Sequence, residues 1–375
     1  MSSLMEEPAL DPPPGVTPNF IDTGGDHAVG YGIIIASSLI STLAVVARLV
    51  SSAIAKKFVI EDFLMVAALG VFAGNQYITY DLTIYPGMWT HQWNIQNGFL
   101  PHFLYNIHLG AVFYGPCAMC IKVAILVNWL RVFVPRDQRN HIWWILQILI
   151  WTNVVFYIIT TLTEIFRCWP RQAIWDPWFE PVHCPVDVEA QNIATSVLNF
   201  ISDTTILAMP QWIIWKLQLS ASRKWGLSLL FVIGVGAWVF GVVRTVYFVK
   251  LLSSEDVTYQ MSGVAIWTIW EITTGFLIMG IPAIPRVVKT IPKSDSIVSF
   301  FRSLTSRGSQ PSGESPAAPP RQFYKPTSRR RGLWEITDLD THDLVSMSSV
   351  DGANNDVTHL RVELAGDQPS KQQTV

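Results

Sequence analysis

Charge is scarce in this chain. Asp, Glu, Lys and Arg make up only 14% of its 375 residues, against about 25% in an ordinary soluble domain. That shortage, with half the residues hydrophobic and 16 tryptophans, excludes a typical water-soluble fold. No basic face is present to meet nucleic acid, and the net charge of −2 gives no reason to expect one. The first 27 residues have neither a basic stretch nor an apolar run, so no cleavable signal peptide is expected. They are rich in proline and carry Glu6, Glu7, Asp11, Asp22 and Asp26. They read as a short disordered tail outside the cytoplasm.

What is present are long apolar segments. A helix needs about 20 apolar residues to cross a bilayer, and seven segments qualify: 28–50, 61–81, 103–128, 142–165, 192–215, 226–249 and 263–285. The second is the least apolar, because Asn75 and Gln76 interrupt it. The expected fold is all-α, a seven-transmembrane helix bundle over residues 28–292.

Positive charge marks the cytoplasmic ends of spans. Arg48, Lys56 and Lys57 follow span one, Arg131, Arg136 and Arg139 follow span three, and Lys216, Arg223 and Lys224 follow span five. Arg286, Lys289 and Lys293 follow span seven. The opposite side has only Arg167, Arg171 and Lys250. The expected orientation is therefore N-terminus outside and C-terminus cytoplasmic, with the bilayer as the first partner. Plasma membrane and endomembrane fit equally.

Residues 293–375 read as a disordered cytoplasmic tail, since "SQPSGESPAAPP" cannot build a core. Within it, "SIVSFFRSL" (296–304) is either a short amphipathic helix on the membrane or a plain linker. "SRRRG" (328–332) reads as a solvated charge run.

Four cysteines fall in two pairs. Cys168 and Cys184 bracket a loop holding Trp169, Trp175 and Trp178, on the expected outer side. A disulfide is expected there, stabilising by about 3 kcal/mol in the chain-entropy picture. The tryptophans read as interface anchors, with a lid over the bundle mouth as the second reading. Cys117 and Cys120 have metal-site spacing but lie inside span three with no further ligands near in sequence. Small residues facing a neighbouring helix are the simpler account. Neither metal nor cofactor is expected.

Ionisable residues inside a span are costly and face the bundle interior. Lys122, Asp203, Arg244 and Glu271 are four such residues, two of each sign. By depth, Arg244 pairs with Glu271 and Lys122 with Asp203. They read as an intramembrane polar network that either fixes helix register or forms a switch or pocket. Glu61 and Asp62 open span two, where carboxylates complement the helix dipole. Pro116, Pro210, Pro282 and Pro285 lie in or at the ends of spans and read as static bends.

Several motifs together resemble the fungal rhodopsin-like integral membrane proteins. They are "ARLVSS" with "EDFL", "IKVAILVNWLRVF", "IFRCWP", "NFISDTTILAMPQWIIWKLQLS", "GVVRTVYFVKLL" and "IWTIWEITTGFLIMGIPAIPRVVK". The resemblance covers about 28–292. That family includes receptor-like proteins of appressorium signalling and a membrane protein of the satratoxin gene cluster. Lys122, Cys168, Asp203, Pro210, Arg244, Glu271 and Pro282 fall where the family pattern has the same residues. Two departures stand out: the N-terminus carries no cysteine-rich domain, and Glu61-Asp62 replaces a pair of aspartates.

The resemblance implies an accessory or receptor-like role in secondary-metabolite production. A mycotoxin pathway is one setting; a metabolite exporter and a sensor unrelated to metabolites are the alternatives. The candidate partners are a small-molecule metabolite and a cytoplasmic G protein or other signalling protein. Retinal is not expected, because the last span has no lysine before Lys289. An enzyme is not expected either. His102 and His108 do not share a helical face, and span seven has no histidine.

Overall fold

A computed structural model describes residues 5–134, 140–180, 183–216 and 221–290. Among these residues the fold is all-helical, with no strand beyond isolated bridges. Seven long helices follow one another: α1 (His27–Ile54), α2 (Ile60–Ile84), α3 (Leu100–Phe133), α4 (His141–Ile165), α5 (Val188–Lys216), α6 (Ala221–Leu252) and α7 (Val257–Gly280). A short α8 (Ile284–Thr290) follows. Six of the seven are long and apolar enough to cross a membrane. The exception is α5, whose first half carries Gln191, Asn192, Asn199, Ser202 and Asp203.

The outward faces of the bundle are apolar, and many of its polar side chains turn inward. On α1, Ile35, Leu39, Leu43, Val46 and Val50 are exposed at helical spacing, while Ser37, Ser41, Arg48, Ser51 and Ser52 are buried. On α4, Ile148, Trp151, Val155, Ile159 and Leu162 face out. A soluble monomer rarely shows such apolar patches, whereas lipid accepts them. The polar residues of α2 face inward, where Gln76 Nε2 donates to Ser37 Oγ on α1. That contact explains how an interrupted segment remains a span.

Helix α7 lies at the centre. Ile269, Ile272, Phe276 and Met279 meet Met65, Ala68 and Phe72 of α2 and Ile121 and Ile125 of α3 in one core. The Phe72 and Phe276 rings lie 5.6 Å apart. Pro282 and Pro285 cannot donate to the preceding turn. Accordingly α7 gives way to a 3₁₀ turn at Ile281–Ala283 before α8, while Val257–Val288 together remain long and apolar enough for one span.

At the foot of α7 the packing is backbone-close. A Cβ at Gly280 would stand 2.6 Å from Ala44 Cβ and 2.7 Å from its Cα. Gly280→Ala therefore has to push α1 off α7, and we expect a cost of about 1–3 kcal/mol. Gly236→Ala, where a Cβ meets nothing within 4 Å, should be neutral or better. Thermal melting of the two purified variants in detergent checks this; an equal loss in both would refute close packing as the cause.

The N-terminal segment corrects the sequence expectation of a disordered tail. Its backbone pairs with the 85–99 loop: Ala9 N donates to Ile95 O at 2.8 Å, Asn97 N to Glu7 O at 2.9 Å, and Asp26 N to Met88 O at 2.8 Å. Asp26 then caps α1 by accepting from Val29 N. The segment, the 85–99 loop and the stretches 166–180 and 183–187 gather at one end of the bundle, the N-terminal face. Loop 55–59, the end of α3 at Phe133 and α8 lie at the other, the C-terminal face. Arg136, Arg139, Lys293, the 296–304 and 328–332 stretches and the tail lie outside the described residues. So do the side chains of Lys216, Arg223, Lys224 and Lys289.

Candidate functional site

The four ionisable residues singled out in the spans come together in one buried cluster between α3, α5, α6 and α7. Lys122 Nζ stands 2.6 Å from Asp203 Oδ1. Arg244 Nε stands 3.1 Å from Glu271 Oε2. The sequence suggested two separate pairs; the structure joins them through Asn199. Its Oδ1 accepts from Lys122 Nζ at 2.7 Å and from Tyr157 OH. Its Nδ2 donates to Asp203 Oδ2 at 3.0 Å and to Glu271 Oε1 at 3.3 Å. Tyr114 OH donates to the same Glu271 oxygen at 3.0 Å.

Local sequence accounts for the geometry. Asn199 and Asp203 are four apart and so share one face of α5. Gly241 on α6 borders both carboxylates, and a Cβ there would make only ordinary contact, 3.5 Å from Glu271 Oε2 and 3.6 Å from Asp203 Oδ2. Sequence reasoning missed Asn199, Tyr114 and Tyr157. Mid-span tyrosines and an asparagine one turn from Asp203 were the available signal.

The pairing within the cluster is uneven. Lys122 Nζ donates to Asn199 and forms an ion pair with Asp203. Arg244 and Glu271 are close, yet neither Arg244 Nε nor Nη2, nor Glu271 Oε2, makes a hydrogen bond of acceptable angle among the described residues. The guanidinium instead lies 4.8 Å from the Tyr114 ring centroid, a cation–π distance. A buried polar atom without a hydrogen bond needs an explanation.

A cavity of about 100 Å³ opens beside the cluster. Lys122, Asp203 and Glu271 are the ionisable residues of its wall, Asn128 and Gln211 add uncharged polar groups, and Trp129, Leu207, Phe231, Trp238 and Met279 form much of the rest.

Both faces of the bundle carry further buried polar groups. At the N-terminal face Cys168 and Cys184 form a disulfide. The loop it ties lays Trp175 against Tyr105, ring centroids 5.1 Å apart, so this tryptophan packs on the mouth of α3. Trp169, by contrast, is largely exposed. Below the loop Glu164 gathers His108 Nδ1 at 3.2 Å, Arg167 Nη1 at 3.1 Å and Gln191 Nε2 at 3.0 Å. Asp256, the cap of α7, holds the 85–99 loop through His91 Nδ1 at 2.6 Å and Gln92 N at 3.0 Å.

At the C-terminal face Glu61 and Asp62 do more than complement a helix dipole. Both are buried. Asp62 pairs with Arg48 at 2.8 Å and Glu61 with Arg131 at 2.8 Å. Cys117 and Cys120 are free thiols, the first packed against Ala68 O.

The sequence profile of the Fungal rhodopsin domain matches residues 47–290. The chain is 28% identical to "Fugralins biosynthesis cluster protein 2" of Gibberella zeae, over 86% of this chain and 83% of that protein. It is 30% identical to a "SAT4 family membrane protein" of Emericella nidulans, over 53% of this chain and 50% of that one. It is 23% identical to "Satratoxin biosynthesis SC1 cluster protein 4" of Stachybotrys chartarum, over 50% of this chain and 66% of that one. No solved structure matches. With the profile spanning most of a helical bundle built to sit in lipid, the chain belongs to the fungal rhodopsin domain family of membrane proteins.

Proposed function

We propose that this chain is a non-enzymatic, non-retinal accessory or receptor-like membrane protein of secondary-metabolite production. It has seven spans, the N-terminal face outside the cytoplasm and the tail inside. The observation that carries the reading is the similarity, over 86% of the chain, to a protein named for a biosynthesis cluster. The disulfide at the N-terminal face and the basic residues Arg48, Lys56, Lys57 and Arg131 at the opposite face support the orientation. Helix α5, too polar to qualify by composition alone, spans on this reading because Asn199 and Asp203 spend their polarity inside the bundle. The buried polar cluster beside a small cavity suits recognition of a small molecule. A G protein or another signalling protein would meet the cytoplasmic loops.

The test is the metabolite profile of a strain lacking the gene, measured separately in cells and medium. The receptor-like reading expects the product to fall in both, together with the pathway transcripts. A product that builds up in cells and falls in the medium would overturn it in favour of export. An unchanged profile would remove the metabolic link.

A further inference from the structure

The cavity beside the ion cluster selects its occupant by size, access and charge. Its volume of about 100 Å³ is below the roughly 150 Å³ of a cavity that binds benzene and well below the 300–1,000 Å³ of drug-sized sites. It therefore holds the end of a molecule, and the rest must lie outside.

The way out is sideways. The wall made by Ile121, Ile125 and Met279 is buried. The wall made by Leu207, Leu230, Phe231 and Gly234 is only half-buried, and Phe231 is 36% exposed. These residues belong to α5 and α6, so the opening faces the surroundings of the bundle. In a membrane those surroundings are acyl chains.

The polar wall sets the chemistry. An ammonium has three N–H donors, and Lys122 directs two of them at Asn199 and Asp203. Glu271 Oε2 is buried and faces Arg244 Nε at 3.1 Å, yet accepts no hydrogen bond from it or from any other described residue. The wall thus offers a donor and an acceptor together. Lys122 and Arg244 balance Asp203 and Glu271, so the cluster is neutral as it stands. An incoming carboxylate or ammonium would leave a net charge in a low-dielectric interior. A hydroxyl or amide can accept from Lys122 and donate to Glu271 without disturbing the balance.

We infer that this cavity binds the neutral, hydroxyl- or amide-bearing end of a lipophilic small molecule, which enters from the bilayer between α5 and α6. The inference deepens the metabolite-linked reading and rests on its membrane placement.

The experiment uses the full chain in phosphatidylcholine nanodiscs and a long-chain alcohol carrying a diazirine near its hydroxyl. After irradiation, adducts are mapped by peptide mass spectrometry. Adducts should concentrate on residues 203–211 and 230–238. Excess unlabelled long-chain alcohol or primary amide should reduce them about tenfold, a shift expected of one specific site. The matching fatty acid and alkane should compete weakly. Ala237→Phe or Leu207→Trp, each filling the cavity from a different helix, should remove this labelling in protein that still runs as a single species. Adducts spread evenly over outward-facing helix surfaces, or equal competition by acid and alkane, would overturn the inference. Cavity labelling together with an unchanged metabolite profile in the deletion strain would support the site and remove only the metabolic reading. A changed profile with scattered labelling would do the reverse.

Discussion

Glu271→Lys should abolish correctly folded protein, whereas Glu271→Gln should leave a weakened but recoverable one. Glu271 is the acceptor for Tyr114 and Asn199 and the nearest anion to Arg244. With it, two cations face two carboxylates in a largely buried site. Glutamine removes one negative charge, yet its amide oxygen can still accept from Tyr114 and Asn199. Removing one partner of a buried pair costs about 3–5 kcal/mol, and the cation–π contact of Arg244 with Tyr114 and the retained hydrogen bonds put glutamine at the lower end. Lysine reverses the charge and sets three cations around a single carboxylate. That loss should exceed about 5 kcal/mol, comparable to the whole stability of many folded domains. Membrane-fraction yield and monodispersity of fluorescent fusions separate the cases. Equal yields of the two variants would show that Glu271 does not neutralise Arg244. The pair replacement Arg244→Met with Glu271→Leu gives a second reading. It removes both charges and should recover part of what either single change loses.

The spans were legible in the sequence because lipid imposes a one-dimensional rule: about 20 apolar residues, then a polar turn. Even α2 obeyed it once Gln76 found Ser37 on the next helix. Charge inside a span was legible for the same reason, since Lys122, Asp203, Arg244 and Glu271 had to face inward. Their linkage was not. Asn199 carries no charge to single it out among the polar residues of α5, yet it joins both pairs. The order of residues 5–26 was also hidden. It comes from backbone groups pairing with the 85–99 loop, and backbone pairing leaves no trace in composition. The position of Cys168 and Cys184 in one loop on the expected outer side was enough to suggest the disulfide that is found.

The second large effect belongs to the carboxylates that open α2. Asp62→Ala should cost about 3–5 kcal/mol by leaving Arg48 buried without its partner. The Arg48 and Asp62 side chains are only 9% and 1% exposed, so water cannot take over. The alanine also loses the cap, since Asp62 Oδ2 accepts from Val59 N at 3.1 Å, a contact usually worth about 0.5–2 kcal/mol. Glu61→Ala should cost less, although Glu61 is equally buried. Its partner Arg131 is 41% exposed and can turn to solvent or lipid head groups. The order of losses is therefore set by the cation, and a reading based on carboxylate burial alone would rank the two equal. Separating the cap from the ion pair requires a different substitution. Asp62→Asn keeps an oxygen for Val59 N–H and removes the charge, so its loss reports Arg48 alone. Adding Arg48→Met should then restore about 2 kcal/mol, because an apolar side chain replaces the uncompensated cation between α1 and α2. Melting temperatures of the four variants in one detergent decide it. If Arg48→Met brings no recovery on the Asp62→Asn background, the ion pair is not what joins these two helices. Shape packing around Ser51 and Ser52 would then have to carry the junction.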